Sequence, residues 1–215
     1  MKRGKSYIGT AFFIHPRVLI TAGHNVRKRP QFIYTRVKQL TLRFGATDRN
    51  TNLYQTTFAT TQNDNIYTLQ SFNKHYSIEE DYGVIILPDE EAYKKVNTRF
   101  TLTPYDANNL TGKPPVFLAG YPSEDNKLYC TLWEDNTTNY IKNDTENYMR
   151  YEFYTEHGVS GAPVWYTDSA VNYAFAIHTN GDPNKKDCSK ATIITKKIYD
   201  DISRFCLSKG IDITK

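Results

Sequence analysis

The sequence has no long hydrophobic run. None of its apolar stretches approaches the roughly 20 residues that a membrane-spanning helix requires, so we predict no membrane span. Hydrophobic residues make up 39% of the chain and charged residues 23%, which is typical of a globular protein. At 215 residues, the chain can form one large domain or two small domains that share a site.

Cysteine is also scarce. The three cysteines, Cys130, Cys188 and Cys206, are odd in number and show no CxxC spacing. At most one internal disulfide can form, and which cysteines would pair stays open. Because the spacing does not resemble a metal site, we predict no metal, and the serine chemistry predicted below requires no organic cofactor either.

Positive charge is not concentrated anywhere in the chain. The 27 Lys and Arg residues are scattered among 23 Asp and Glu, and the densest basic run is residues 27–29. A nucleic-acid-binding surface is normally denser, so we predict no nucleic-acid partner. The N-terminus is basic, but the apolar stretch after it is interrupted at Thr10 and His15, unlike a signal peptide. Export directed by a segment outside this chain and a cytoplasmic location both stay open.

Aromatic and β-branched residues are abundant. Aromatics are 14% of the chain, with 17 Tyr and 11 Phe, and they recur with Ile, Val and Thr in short runs separated by turn residues. Such runs are typical of strands in barrels or sandwiches. The predicted strands are 7–14, 18–22, 40–44, 84–87, 116–120, 128–133, 148–154, 174–178 and 191–195.

One helix is predicted, at the C-terminus. Ile198, Ile202 and Phe205 follow helical spacing, and Gly210 is a plausible end signal. We therefore expect an all-β body that ends in an α-helix. Residues 88–115 are polar and rich in Pro, Asn and Gly, and we place the connection between two β domains there, with residues 1–103 in the first and 104–215 in the second.

Three short segments carry residues suited to nucleophilic catalysis. Residues 19–25 (LITAGHN) present His24 after a strand, residues 81–87 (DYGVIIL) place Asp81 before one, and residues 158–163 (GVSGAP) hold Ser160 in a glycine turn. A serine hydroxyl needs a neutral imidazole to remove its proton, and the imidazole needs a buried carboxylate to hold it. We predict that His24, Asp81 and Ser160 form a catalytic triad.

The glycines around Ser160 suggest an oxyanion hole. Gly158 and Gly161 allow a turn that points the amides of Gly158 and Ser160 at one spot. Two such donors would stabilise the oxyanion of a tetrahedral intermediate. Each segment alone is a weak pattern, and the prediction depends on finding all three in one chain.

From about Gly9 to about Phe205, the chain resembles the trypsin-like serine peptidases, in particular the bacterial glutamyl endopeptidase (V8 protease) branch. Beyond the three segments above, residues 119–122 (AGYP), 176–178 (AIH) and 191–195 (ATIIT) resemble motifs of that branch. The resemblance implies two six-stranded antiparallel β-barrels with the active site between them. The first would carry His24 and Asp81, and the second Ser160 and the helix. It also slightly favours an extracytoplasmic location.

The resemblance also implies a substrate preference. Where trypsin has the aspartate that attracts Lys or Arg, this chain has Tyr154, so trypsin-like specificity is not expected. The residues that bind a substrate carboxylate in the glutamyl branch correspond to Thr155 and His178. The alternative, that both are ordinary strand residues, stays open. Val159 replaces the aspartate that pairs with a new N-terminal amine in trypsin, so another interaction must fix the turn.

The sequence thus predicts a serine endopeptidase that acts on polypeptides through an acyl-enzyme on Ser160, with preference for Glu or Asp on the acyl side. Two alternatives remain. One is a protease domain of different specificity that needs a partner, a propeptide or a missing segment for activity. The other is a peptide-binding pseudoprotease that does not cleave. The oligomeric state is not predicted.

Overall fold

A computed structural model describes most of the chain. The described residues are 7–28, 35–47, 51–59, 64–69, 71–72, 76–111, 114–124, 127–128, 132–138, 140–142, 147–153, 155–182 and 185–214.

The described residues are mainly β-strands, with three α-helices and two short 3-10 turns. The strands are β1 Ala11–His15, β2 Val18–Thr21, β3 Arg27–Lys28, β4 Thr35–Arg36, β5 Gln39–Phe44, β6 Tyr54–Ala59, β7 Ile66–Thr68, β8 Gly83–Ile86, β9 Thr101–Leu102, β10 Val116–Gly120, β11 Ser123–Glu124, β12 Lys127–Leu128, β13 Trp133–Thr137, β14 Tyr140–Lys142, β15 Tyr148–Tyr151, β16 Pro163–Asp168, β17 Val171–Asp182 and β18 Lys185–Ile193. The helices are α1 Gly23–Val26, α2 Glu91–Val96 and α3 Lys196–Ser208, and the 3-10 turns are Ile78–Glu80 and Ala107–Leu110.

The first sheet has the strand order β1-β2-β8-β7, and its strands are antiparallel. Strands β2 and β8 are apolar and fully buried, as expected for the centre of a sheet. Thr21, at the end of β2, is paired with Gly83, at the start of β8. The segment that follows β2 and the segment that precedes β8 therefore lie at the same sheet edge.

The second sheet contains most of the C-terminal half, in the order β13-β10-β16-β17-β18-β15-β14, with β9 paired in parallel to β17. Pro163, at the start of β16, pairs with Ile177 on β17. This register places the turn before β16 beside His178, whose amide donates to the carbonyl oxygen of Ala162 at 2.9 Å.

Helix α3 closes the core that the two sheets share. Thr195 caps its N-terminus by accepting a hydrogen bond from the amide of Ile198 at 3.2 Å. Ile198 and Ile202 are buried in a cluster that also contains Tyr82 of the first half and Trp165 of the second. The helix therefore packs against both halves of the molecule.

The structure confirms the predicted all-β class with a C-terminal helix. The pattern of Ile198 and Ile202 correctly located α3, and Gly210 adopts a φ of 73° just beyond the helix. Residues 129–131 of the predicted strand 128–133 and residue 154 of the predicted strand 148–154 lie outside the described residues. Where described, the predicted strands coincide with or overlap observed ones.

Several elements were not predicted. Strands β6 and β16 were missed, and β17 runs for 12 residues where only 174–178 was expected. Residues 88–115 contain the short helix α2 as well as turns. Strand β9 ends just before the predicted domain boundary at 103/104 and pairs with β17. That boundary stays a prediction.

Two further expectations concern the membrane and the cysteines. Within the described ranges, no helix combines the length and apolarity needed to span a bilayer. Cys206 is a free thiol in the core, and burial raises its pKa to about 12.

The position of α3 in the shared core gives the first testable prediction. Replacing the fully buried Ile202 with Ala should lower the free energy of unfolding by about 2–5 kcal/mol, because the change leaves a cavity. Chemical denaturation measures the loss. Leu207 lies on the same helix but is 59% exposed, so Leu207→Ala should change stability by less than about 0.5 kcal/mol. Equal losses for the two variants would contradict this packing.

Candidate active site

His24 and Asp81 meet at the edge of the first sheet. His24 lies in α1, directly after β2, and Asp81 lies between the 3-10 turn at Ile78–Glu80 and β8. The Nδ1 atom of His24 is 2.7 Å from Oδ2 of Asp81. The backbone amide of His24 donates to Oδ1 of the same carboxylate at 2.9 Å. One carboxylate thus holds both the ring and the backbone of His24.

The carboxylate of Asp81 is fully buried. A buried charge is unfavourable unless it is well hydrogen-bonded, and here the two bonds from His24 are joined by one from the hydroxyl of Tyr76 at 3.3 Å. Gly23 permits this close approach, because a Cβ atom there would lie 3.0 Å from the carbonyl oxygen of Tyr82 and 3.1 Å from Oδ1 of Asp81.

Two opposing effects act on the pKa of His24. Burial lowers it, but the negative charge of Asp81 and the hydrogen bond to it together raise the pKa above 6.5. Asp81 also fixes the ring, because a proton on Nδ1 faces the carboxylate and leaves Nε2 as the basic nitrogen of the neutral form. His24 is therefore held as a base whose free nitrogen points away from Asp81.

Ser160 lies in the turn before β16, where two glycines take positive φ angles, 96° at Gly158 and 92° at Gly161. At both positions a Cβ atom would collide with backbone, with the carbonyl of Tyr121 at Gly158 and with that of Thr10 at Gly161. The turn therefore depends on glycine for its conformation and for its packing.

The hydroxyl of Ser160 donates to the carbonyl oxygen of Thr179 at 3.3 Å. Among the described residues it makes no hydrogen bond with His24. The two segments are nevertheless adjacent, because Asn25, the neighbour of His24, donates from Nδ2 to the carbonyl oxygen of Ser160 at 2.7 Å. The structure thus brings the three predicted triad residues to one place, with the serine side chain turned towards Thr179.

The backbone amides of Gly158 and Ser160 lie in the turn that holds the proposed nucleophile. Within the described part of the chain, neither donates a hydrogen bond to protein. An oxyanion hole needs free donors of this kind.

A cavity of about 70 Å³ lies next to Ser160. Both predicted carboxylate-binding residues, Thr155 and His178, line it. The remaining lining residues are Glu156, His157, Thr179, Asn180 and Gly181. Tyr154, which was predicted to replace the trypsin aspartate, lies outside the described residues.

His178 is neutral and fixed by a tyrosine. Its Nδ1 is 2.5 Å from the hydroxyl of Tyr151, and both side chains are buried. Burial, with a contribution from the charge of His24, lowers the pKa of His178 to about 3. Burial also raises the pKa of Tyr151 well above 10, so the phenol keeps its proton. The phenol then donates to Nδ1, which leaves the proton of the His178 ring on Nε2.

The hydroxyl of Thr155 is already hydrogen-bonded within the protein. Ser189 donates to the carbonyl oxygen of Phe153 at 2.9 Å, so at 3.0 Å the hydroxyl of Thr155 is left to donate to Ser189. To donate to a substrate, this hydroxyl must turn away from Ser189. His178 is therefore the more readily available donor of the two.

Sequence patterns did not reveal Tyr151, Ser189 or Thr179. Each is a polar residue within or next to a strand, and nothing local distinguishes it from a solvent-facing neighbour. The pairing of β15 with β18, and of β18 with β17, brings the first two towards the cavity. Only knowledge of that long-range register would have identified them.

The two large β-sheets and the paired His24 and Asp81 are features of the trypsin-like class of peptidases. The sequence profile of the trypsin-like peptidase domain matches residues 9–171, most of the chain. The chain therefore belongs to the trypsin-like peptidase domain family.

A curated relative is also similar. The "Extracellular metalloprotease" of Bacillus subtilis (strain 168) is 25% identical over 203 residues, which cover 92% of this chain and 58% of that protein. The chain thus spans less than two thirds of the relative's length. Among the residues described here, no three or more His, Cys, Asp or Glu side chains are grouped to hold a metal ion.

Solved structures share the fold. A Glu endopeptidase in complex with MPD superposes with a TM-score of 0.70 at 18% identity, over 91% of this chain and 84% of that one. The thermostable serine protease AL20, from an extremophilic microorganism, gives 0.69 at 12% identity, over 92% and 88%. Protease Anisep from Arthrobacter nicotinovorans gives 0.69 at 13% identity, over 95% and 91%. At these identities, the likeness establishes the fold alone.

The environments of the two histidines give the second prediction. In an NMR titration, His24 should have a midpoint above 6.5, and His178 should stay neutral throughout the range from pH 5 to 8. Asp81→Asn should lower the His24 midpoint, because it removes the charge that stabilises the imidazolium while burial remains. Glu91→Gln, which removes an exposed carboxylate paired with Lys94, is the control and should leave the midpoint unchanged. A His24 midpoint that is the same in wild type and Asp81→Asn would contradict this account.

Proposed function

We propose that the chain is a serine endopeptidase in which His24, Asp81 and Ser160 act as a catalytic triad. The observation that carries the proposal is the 2.7 Å contact between His24 Nδ1 and Asp81 Oδ2, made beside the turn that holds Ser160. This arrangement supplies a base that is oriented by a buried carboxylate and lies next to a nucleophile. Membership of the trypsin-like peptidase domain family supports it.

The reaction would begin with a rotation of the Ser160 side chain from the carbonyl of Thr179 towards Nε2 of His24. As Oγ attacks the scissile carbonyl carbon, its proton passes to Nε2, and the negative charge of Asp81 stabilises the imidazolium. Collapse of the tetrahedral intermediate breaks the C–N bond, and the same proton goes to the leaving amine. Water then attacks the acyl-enzyme, gives a proton to His24 and releases the acid, and Ser160 recovers its proton from His24.

The amides of Gly158 and Ser160 would bind the oxyanion of each intermediate. They are suited to this role because, among the described residues, neither donates to a protein acceptor, and the turn that carries them is held before substrate arrives. Preorganised donors need no rearrangement when charge develops, and each one typically contributes about 3–4 kcal/mol to stabilising the transition state.

We further propose a preference for Glu or Asp on the acyl side of the bond. The cavity beside Ser160 is small and is lined by Thr155 and His178. The Nε2–H of neutral His178 is a donor suited to a carboxylate oxygen, and the Thr155 hydroxyl can add a second bond by turning from Ser189. The glutamyl specificity named for one structural neighbour is consistent with this preference.

The two alternatives from the sequence differ in what Ser160 does. A peptide-binding pseudoprotease would keep its binding function without the serine hydroxyl. A domain that requires a partner would show little turnover alone and would gain activity when the partner segment is added. The experiments below separate both from an active peptidase.

The third prediction tests the nucleophile. The purified chain should react with a fluorophosphonate probe, and peptide mapping should place the adduct on Ser160. Ser160→Ala should abolish both labelling and peptide hydrolysis, because no other hydroxyl occupies that position. Ser203→Ala is the matched control, since Ser203 lies in α3, outside the site. A folded wild type that neither labels nor cleaves any member of a peptide library would overturn the proposed activity of the isolated chain.

The fourth prediction tests the acyl-side preference. His178→Leu should lower kcat/KM for a glutamyl substrate by about 10- to 150-fold, which is the loss expected for a hydrogen bond to a charged group. The matched glutaminyl substrate should be affected less. Thr155→Val should cause a smaller loss, because its hydroxyl already bonds to Ser189.

His15→Gln is the control for that experiment. This histidine is not among the residues that line the cavity, and its Nδ1 accepts a hydrogen bond from the amide of Arg17. Its substitution should leave the ratio of glutamyl to glutaminyl cleavage unchanged. If cleavage-site profiling of the wild type shows no enrichment of Glu or Asp, the preference is wrong while the peptidase activity stands.

A further inference from the structure

The carbonyl oxygens of the Ser160 turn all accept hydrogen bonds. The carbonyl of His157 accepts from the amide of Ser123 at 2.6 Å and from its hydroxyl at 3.1 Å. The carbonyl of Gly158 accepts from the hydroxyl of Thr10 at 2.8 Å. The carbonyl of Val159 accepts from the amide of Ala162 at 2.9 Å.

These bonds determine where the amides of the turn point. A peptide group is planar, and its N–H lies opposite its C=O. The carbonyl of His157 and the amide of Gly158 belong to one peptide group, and those of Val159 and Ser160 belong to another. When the carbonyl of a peptide group is held on one side of the turn, the N–H of that group points to the opposite side. This opposite side is where we place the oxyanion.

Between these two peptide groups lies a third, formed by Gly158 and Val159. A change in the dihedral angles on either side of this group would alter the angle between the two oxyanion amides, and glycine at 158 offers little resistance to such a change. The N–H of this group, from Val159, donates a long hydrogen bond of 3.3 Å to the carbonyl oxygen of Glu156. The 2.8 Å hydrogen bond from the Thr10 hydroxyl to the Gly158 carbonyl is therefore the stronger of the two.

Thr10 is well placed to hold this group. It is 4% exposed, and its hydroxyl donates to Gly158 while it accepts from the amide of Tyr121 at 3.0 Å. Its own amide donates to the carbonyl of Ser160 at 2.8 Å. One residue of the first half thus bonds to the turn on both sides of Val159.

The position of Thr10 is itself fixed. The hydroxyl of Thr21 donates to the Thr10 carbonyl at 2.7 Å, and Asn25 donates to the Thr21 hydroxyl at 2.9 Å. Val159 is buried and uncharged, so it offers the turn no ionic anchor.

We propose that Thr10 is a positioning residue whose hydroxyl holds the Gly158–Val159 peptide and so keeps the oxyanion amides in their working orientation. This role rests on the proposed acyl transfer at Ser160. The geometry of the oxyanion hole would then depend on hydrogen bonds between the two halves of the molecule.

The test compares Thr10 variants that keep or lose the hydroxyl. Thr10→Val has nearly the same shape but cannot donate to Gly158, whereas Thr10→Ser can. With a peptide substrate that the wild type cleaves, kcat of Thr10→Val should fall on the order of 10- to 100-fold with KM within about twofold, since one misplaced oxyanion donor costs about that much or more. Thr10→Ser should recover most of the loss.

A second measurement separates positioning from a structural role. The affinity for a peptide aldehyde, whose hemiacetal oxygen occupies the oxyanion position, should fall in parallel with kcat/KM. The affinity for the corresponding product acid should not change. If Thr10→Val fails to fold, the pair Thr10→Ser and Thr10→Ala makes the same comparison, because the two differ only in the hydroxyl oxygen.

The outcomes are distinct. If the wild type is active and the variants lacking the hydroxyl keep its kcat per folded molecule, the positioning role is wrong and the peptidase proposal stands. If they lose stability but not kcat, Thr10 is only structural, and the role is equally wrong. A wild type that is inert towards substrate and fluorophosphonate overturns the peptidase proposal, and the role of Thr10 with it.

Discussion

The burial of the Asp81 carboxylate is the constraint on which the site depends. A carboxylate with no exposed surface is tolerated only when donors surround it, and the backbone amide and ring of His24 are the nearest. These bonds require α1 to begin immediately after β2 and require the chain before β8 to reach the same sheet edge. The antiparallel pairing of Thr21 with Gly83 meets both requirements. The orientation of His24 follows from these bonds to Asp81. Burial of His24 lowers its pKa, but the charge of Asp81 and the hydrogen bond to it raise that pKa above 6.5.

The nucleophile and the base of the proposed triad come from different halves of the molecule. Hydrogen bonds that cross between the halves hold their two segments together. Thr10 and Asn25 both donate to the carbonyl of Ser160, and the hydroxyl of Thr192 donates to the carbonyl of Ile78, close to Asp81. The shared apolar cluster beneath α3 supports the same junction. Because the crossing bonds are backbone or buried side-chain contacts, the geometry requires no ion pair in the turn.

The sequence revealed the parts of the site whose chemistry is local. His24, Asp81 and Ser160 each lie in a short segment in which strand residues give way to small or polar ones, and those segments alone predicted that the three would meet. The partners that tune them were not predictable in this way. Tyr151 fixes the ring of His178 across the β15–β18 and β18–β17 pairings, and Ser189 of β18 bonds to Thr155, which lies beyond the end of β15. Strand β16 was missed because it begins at a proline and ends in polar residues, although its register with β17 is what sets Ser160 beside His178.

The proposed acyl-side preference requires a neutral histidine in the cavity beside Ser160 to favour an anion. Burial holds the pKa of His178 at about 3, so a bare imidazolium is not kept in the cavity while it is empty. A carboxylate entering the cavity would add a negative charge close to the ring and raise that pKa. Tyr151 opposes protonation of Nδ1, because its raised pKa keeps it a neutral phenol without a negative charge, and its hydroxyl hydrogen already occupies the bond to Nδ1. On the proposed preference, the favourable state is a neutral ring that donates from Nε2, and oriented dipoles rather than a buried counter-charge would stabilise the anion. Such a site would discriminate through geometry, because a side chain too short or too long to reach Nε2 would be desolvated without gaining its hydrogen bond.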